Sequence, residues 1–183
     1  MPLITTINPR GFIYDMKDLI QHESIHNDGT VHWLTPPYIL KALGDFDLDP
    51  CASPEPRPWP TAKIMWSPPK DGLEPGWFGR VWLNPPYGNT AIFTQFMAKM
   101  AQHQSGIALV FARTDAKWFY EITYPACKAI LFLAPRLSFF QPNGIVYPNK
   151  AGAPSMLVAY SNEDAEVLKK CGLKGCLLVN PLW

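Results

Sequence analysis

Charged residues are scarce in this chain, at 17% of 183, against about a quarter in an average soluble domain. With 48% hydrophobic residues, that balance excludes a disordered polyelectrolyte and describes a chain able to bury a core. No apolar run is long enough to span a bilayer, and the N-terminus lacks the charged-then-apolar pattern of a secretory signal. The expectation is a cytoplasmic protein with no membrane partner. Cysteine is limited to Cys51, Cys127, Cys171 and Cys176. These are scattered without a paired metal-ligand spacing, and Cys171 with Cys176 alone does not make a zinc site. They read as free thiols in a reducing compartment. His22, His26, His32 and His103 form no cluster, so no metal is expected and no histidine is given a catalytic role. A G-x-G-x-x-G loop is missing, which removes support for a dinucleotide fingerprint. There is no internal repeat and no low-complexity tail. The length suits one domain over residues 1–183, with residues 1–30 as a polar extension.

Proline, by contrast, is plentiful: twenty residues in all. Five of them fall between Pro50 and Pro60, which predicts extended chain or loop there. Elsewhere, apolar runs alternate with amphipathic stretches. A short helix is expected around Tyr14–His22, and another from Thr35 to Gly44. Phe46-Asp47-Leu48-Asp49-Pro50 reads as a short strand ending in two acids, and Ala62–Trp66 and Val81–Leu83 as further strands. Ile92, Phe93, Phe96, Met97 and Met100 follow helical spacing, giving a helix over roughly 90–103. Ile107–Phe111 reads as a buried strand, and Asp115–Thr123 as a helix with Trp118, Phe119 and Ile122 on one side. Ala129–Leu133 and Met156–Tyr160 are strands, a last helix starts at Ser161 and ends at Gly172, and Leu177–Val179 closes the chain. This order predicts an α/β fold: a mostly parallel sheet with helices on both faces and a late antiparallel hairpin.

Val81-Trp82-Leu83 runs straight into Asn84-Pro85-Pro86-Tyr87. Proline cannot donate to a sheet ladder, and the residue before it is held out of the helical region, so the strand must stop there. What remains is a rigid loop presenting an amide, two carbonyls and a phenol ring. That set suits a flat substrate with an exocyclic amine. The Asn84 side-chain oxygen and the Pro85 carbonyl can accept both amine protons while Tyr87 stacks on the ring. Accepting both protons draws the nitrogen lone pair out of conjugation and makes it a nucleophile for an activated methyl group. Thr35-Pro36-Pro37-Tyr38 looks alike but follows no apolar strand. It is expected to start a helix, with Thr35 as N-cap and Pro36 at the first helical position.

In such sheets ligands sit beyond the carboxyl ends of the strands, where Asp47, Asp49 and Asn84 are expected. A methyl donor with ribose hydroxyls and a charged amino-acid end needs acids, and Asp47, Asp49 and Asp71 are available. Asp49-Pro50-Cys51 adds backbone N–H groups, and Trp33 offers a surface for an adenine ring. The charges are also unevenly placed. Residues 1–60 carry four basic and eight acidic side chains, whereas residues 75–155 carry seven basic and two acidic ones. The positive stretch contains the Pro-Pro-Tyr loop, where a polyanion would approach. Arg113 and Arg136 each follow an apolar strand and are candidates for phosphate or substrate contact, with a structural ion pair to Asp115 or Glu121 as the competing reading.

Trp33-Leu34-Thr35-Pro36, Phe46–Pro50, Asp71-Gly72-Leu73 with Trp77, and Val81–Gly88 occur in an order that resembles the phage-type, Dam-like DNA N6-adenine methyltransferases. Ala112-Arg113-Thr114-Asp115 with Trp118-Phe119, then Arg136–Phe139 and Ala153–Ser155, continue the series. The resemblance covers about Trp33 to Tyr160. It implies a Rossmann-like fold, S-adenosyl-L-methionine as cofactor, and DNA as partner in the cytoplasm of a host cell if the chain is phage-encoded. Trp33, Thr35, Pro36, Asp47, Asp49, Pro50, Cys51 and Asp71 would then serve the cofactor. Asn84, Pro85, Pro86 and Tyr87 would hold the target base, and Arg113, Asp115, Trp118, Arg136 and Lys150 would face the DNA. Ala52-Ser53-Pro54 stands where related methyltransferases have a glycine-rich turn. An adenine must leave the duplex to reach Asn84, yet no insertion is large enough for a separate target-recognition domain. Residues 1–30 and the Phe139–Gly152 loop, with Gln141, Asn143, Asn149 and Lys150, are the candidates for reading sequence. A short or relaxed recognition sequence, or a partner that supplies specificity, is expected. The loop chemistry itself also fits cytosine N4, an RNA adenine or a protein glutamine, and an idle nucleic-acid-binding protein with this fold is the remaining alternative.

Overall fold

Val81–Leu83 is an interior strand of a seven-stranded sheet, fully buried on both faces. The computed structural model describes residues 5–7, 13–15, 33–68, 72–73 and 76–180. The chain divides into two units, Met1–Thr30 and Val31–Trp183. In the first, β1 (Thr5–Ile7) pairs antiparallel with β2 (Ile13–Asp15). The helix expected around Tyr14–His22 therefore meets a strand at Tyr14 and Asp15, and its remainder lies outside the described residues.

In the second unit, α1 (Pro37–Leu43) precedes β3 (Leu48–Asp49), β4 (Ile64–Met65) and β5 (Val81–Leu83). Then come α2 (Thr90–His103) and β6 (Gly106–Phe111). A π-helical turn, Phe119–Thr123, runs into the short α3 (Tyr124–Ala126) and β7 (Ala129–Leu133). The chain ends with β8 (Ser155–Ala159), α4 (Asn162–Lys170) and β9 (Gly175–Val179). The strand order is β4-β3-β5-β6-β8-β7-β9. β4, β3, β5 and β6 are parallel, and β8 and β9 both run against β7. The late hairpin is β7–β8, joined through residues 134–154, and β9 pairs with β7 on its other side.

Side chains alternate across this sheet, as the period of two requires. Val81, Leu83, Ala108 and Val110 pack with Phe93, Phe96, Met97 and Met100 of α2 on one face. Trp82, Ile107 and Leu109 pack with Ile39 and Leu43 of α1 and Leu168 of α4 on the other. Asn89 caps α2, accepting from the Ala91 and Ile92 N–H groups. Gly106 opens β6 at φ 127°, where a Cβ would collide with the Val81 backbone; glycine is what lets the two central strands start in register. At this amino-terminal edge Arg80 bonds the buried Asp164 at 2.7 Å, and Asp164 also accepts from the Gly106 N–H at 2.6 Å. The charge is thus paired and hydrogen-bonded, as burial demands.

Two helix starts differ from expectation. α1 takes Pro36 as its N-cap and Pro37 at the first position, so Thr35 does not cap it. The helix expected over Asp115–Thr123 begins later and widens, with the Tyr124 N–H bonding the Phe119 carbonyl five residues back. Pro125 has no N–H to continue the ladder, and the wide turn lets the chain carry on as far as Ala126.

Candidate active site

Leu83 pairs with Ala108, and there β5 ends, because neither Pro85 nor Pro86 can extend the ladder. Asn84 leaves the sheet half-buried at the carboxyl rim. Its amide Nδ2 donates to the Trp33 carbonyl at 3.4 Å and to Thr35 Oγ1 at 3.5 Å. Its Oδ1 is buried and has no hydrogen-bond partner among the described residues. A buried acceptor without a partner costs roughly 1–3 kcal/mol, and a donor from a bound group would satisfy it. The main-chain carbonyl of Asn84 accepts from Cys51 Sγ at 3.2 Å, which ties the loop to the end of β3.

The segment that holds the amide is itself held from two sides. Leu34 and Phe140 exchange backbone hydrogen bonds at 2.9 and 3.1 Å. Trp59 Nε1 donates to the Thr35 carbonyl at 3.2 Å, and its ring meets Phe140 edge-on at 5.1 Å. Trp33 meets Tyr147 edge-on at 4.9 Å. The 139–147 loop therefore folds back against Trp33–Thr35. Asn143 closes the loop's turn by accepting from the Ile145 N–H at 3.0 Å. Trp59, Phe140 and Tyr147 were not singled out from the sequence. Tryptophan within a run of turn-forming prolines was the signal available for the first.

Tyr87 is 37% exposed. Its ring lies 4.5 Å from Phe111 and 5.5 Å from Phe93, and its hydroxyl donates to the Leu109 carbonyl at 3.2 Å. Burial raises the phenol pKa well above its ordinary value, so the ring stays neutral. Phe93 in turn rests edge-on against Trp118 at 4.9 Å. Trp118, expected at the DNA surface, is instead 9% exposed and part of the core beneath the loop.

Asp47, just before β3, and Asp49, at its end, part company. Asp49 is 3% exposed; one carboxylate oxygen accepts from the Cys51 N–H at 3.0 Å and the other from the Thr61 hydroxyl. Burial pushes its carboxyl up to about 6, against the lowering effect of those hydrogen bonds, and raises the neighbouring Cys51 thiol well above its usual value. Asp47, expected beside Asp49 and Asn84, lies at the opposite, amino-terminal edge. It accepts from the Arg80 N–H and from Lys63 Nζ, each at 2.8 Å, and these partners hold its pKa below the ordinary value. β3 spans only two residues, so its two ends separate the acids. Pro36 and Pro50 are buried. Gly72 lies against the Pro50 carbonyl with no room for a Cβ, while Asp71 falls outside the described residues.

Arg113 and Asp115 are exposed just past β6, the strand next to Asn84. Glu121 pairs with Lys117 at 3.7 Å, and among the described residues neither Arg113 nor Arg136 is in an ion pair. Arg136 donates to the Gly152 carbonyl at 3.3 Å, and Lys150 is exposed nearby.

A parallel-core sheet finished by antiparallel strands is consistent with the Rossmann-like fold of a methyltransferase. Residues 24–169 match the family described as DNA N-6-adenine-methyltransferase (Dam), and the chain belongs to that family. The family makes it an enzyme that methylates adenine in DNA with S-adenosylmethionine as methyl donor. No curated protein and no solved structure matches it. Among the described residues no helix is long and apolar enough to cross a membrane, and no group of acids, histidines and cysteines could hold a metal.

Proposed function

We propose that Asn84–Tyr87 is the catalytic loop and that it acts on an adenine flipped out of duplex DNA. The observation that carries this reading is the buried, unpartnered Oδ1 of Asn84. The Nδ2 side of the same amide is occupied by Trp33 and Thr35, so the oxygen is the end left to accept an N–H of the target N6. The Pro85 carbonyl, which accepts no hydrogen bond among the described residues, takes the other. Tyr87, clamped by Phe111 and Leu109, presents its exposed face to the base. A base stacked within a duplex does not reach a half-buried amide, so the target adenine is extruded. As the amine nitrogen bonds the methyl carbon, the carbon–sulfur bond breaks, the neutral thioether S-adenosylhomocysteine leaves, and the nitrogen is left cationic. It then loses a proton to water, so no basic side chain is needed.

S-adenosylmethionine, when bound, supplies a methyl group made electrophilic by its sulfonium. The residues that meet around Asn84 suit such a cofactor: the Trp33 ring, the Thr35 hydroxyl and the turn Pro50-Cys51. Asp49 shapes that turn through the Cys51 N–H. Arg113, one strand away on the same rim, is placed for phosphates flanking the flipped base, and Asp115 shares its turn. A relaxed recognition sequence fits the Phe139–Gly152 loop, a candidate reader of sequence. Such an enzyme works in the cytoplasm, where its DNA is.

The test is transfer of labelled methyl from S-adenosylmethionine to unmethylated duplex DNA, wild type beside Asn84→Ala, with the digest analysed for N6-methyladenine. Label in that nucleoside, lost in the variant with cofactor binding kept, supports the reading. Full transfer by Asn84→Ala would refute it.

A further inference from the structure

A groove of about 460 Å³ opens between the start of α1, the β7–β8 loop and the segment 172–174. Arg136, Lys150 and Lys174 line it, no acidic side chain does, and Leu133, Leu137 and Leu173 are among its apolar walls. The three cations are exposed, and none is in an ion pair among the described residues. They come from separate parts of the chain, so no local run of charge announces them. Unpaired cations gathered over an apolar floor raise the local concentration of a polyanion.

The topology says where this groove lies. β7 runs in the same direction as β5, so Arg136, just past its end, leaves the sheet at the rim that bears Asn84. β9 runs the other way, so Lys174, just before it, comes to that same rim. In the order β5-β6-β8-β7-β9, the groove is three to four strands from Asn84. At about 4.8 Å per strand that is about 14–19 Å, or roughly four to six base pairs at 3.4 Å each. Phe140 and the start of α1 connect the two places, since Leu34 bonds Phe140 and Ile39 lines the groove.

Resting on the reading of Asn84 given above, we infer that this groove binds the phosphodiester backbone of the same duplex, to one side of the flipped adenine. The footprint is thus lopsided. Arg113 serves the target nucleotide, and Arg136, Lys150 and Lys174 serve phosphates about four to six base pairs away.

The experiment measures the dissociation constant for a random-sequence duplex of about two helical turns against salt concentration. Wild type is compared with the triple variant Arg136→Gln, Lys150→Gln, Lys174→Gln, with cofactor binding as the control for folding. The slope of log affinity on log salt should become shallower by about three in the variant. An unchanged slope overturns the groove and leaves the catalytic reading standing. Absence of wild-type DNA binding, with cofactor still bound, overturns both. A second measurement uses wild type alone: methylated adenines are mapped along blunt-ended random duplexes. Sparse methylation within about four base pairs of one end only, set by strand polarity, is expected; equal methylation up to both ends counts against the groove.

Discussion

Thr35-Pro36-Pro37-Tyr38 and Asn84-Pro85-Pro86-Tyr87 share three of four residue types and do opposite things. The second follows a buried strand, so its prolines end a ladder and hold an amide at the rim of the sheet. The first follows no such strand, and its prolines start α1. Proline's fixed φ suits both settings; what precedes it decides which one applies. The two segments nevertheless meet, because the Thr35 hydroxyl is free of capping duty and faces the Asn84 amide at 3.5 Å. On the proposed reading, one proline pair supplies the functional group and the other helps to aim it.

The sharpest way to break that comparison is Asn84→Ala. It should lower kcat by about 10²–10³-fold, the scale for losing one preorganised hydrogen-bonding group, with cofactor binding largely kept. Methyl-transfer kinetics and cofactor titration together check it.

A second contrast, Asp49 against Asp47, predicts opposite pH effects for two acids two residues apart. Asp49 has its carboxyl raised to about 6, so the native state holds its proton more tightly than the unfolded chain does. Its destabilising contribution is absent below the ordinary carboxylate range and complete above about 6. Asp49→Asn should therefore gain on wild type by up to about 3 kcal/mol as pH rises through that window, in denaturant unfolding at several pH values. Asp47 is shifted down, so its contribution is stabilising at neutral pH and lost as pH falls through its lowered pKa. A wild-type minus Asp49→Asn difference that does not vary with pH would show that burial leaves the Asp49 carboxyl unshifted between the folded and unfolded states.

Tyr87→Ala should weaken capture of the base by roughly 1–3 kcal/mol, seen in the dependence of rate on DNA concentration, and Tyr87→Phe should keep most of it. The smallest expected effect is the most discriminating. Thr35→Val should lower kcat by about five- to tenfold, the worth of a single neutral hydrogen bond, while Thr35→Ser restores it. A change confined to the KM for S-adenosylmethionine would assign Thr35 to the cofactor instead of to the amide.

The strands β5 to β9 and the helix α2 were legible because each is a run or stripe of apolar residues bounded by a cap, a glycine or a proline. The Asn84 loop was legible for the same local reason. Trp118 was misplaced because an aromatic beside polar residues looks the same whether it faces DNA or sits under Phe93. The π-helical turn escaped notice because its widening depends on Pro125, beyond the expected end of that helix. Trp59 escaped because its partner, the Thr35 carbonyl, is 24 residues away.

The sequence by itself determined that strands alternate with helices, that one strand must stop at Asn84, and that an amide and an aromatic ring stand at the stop. Each depends on backbone sterics and apolar period, which act over a few residues. Only the tertiary structure decided which of Asp47 and Asp49 reaches the carboxyl rim, which end of the Asn84 amide is left without a partner, and which cations line one groove. Those outcomes depend on strand register and on contacts between segments tens of residues apart, and no local pattern encodes them.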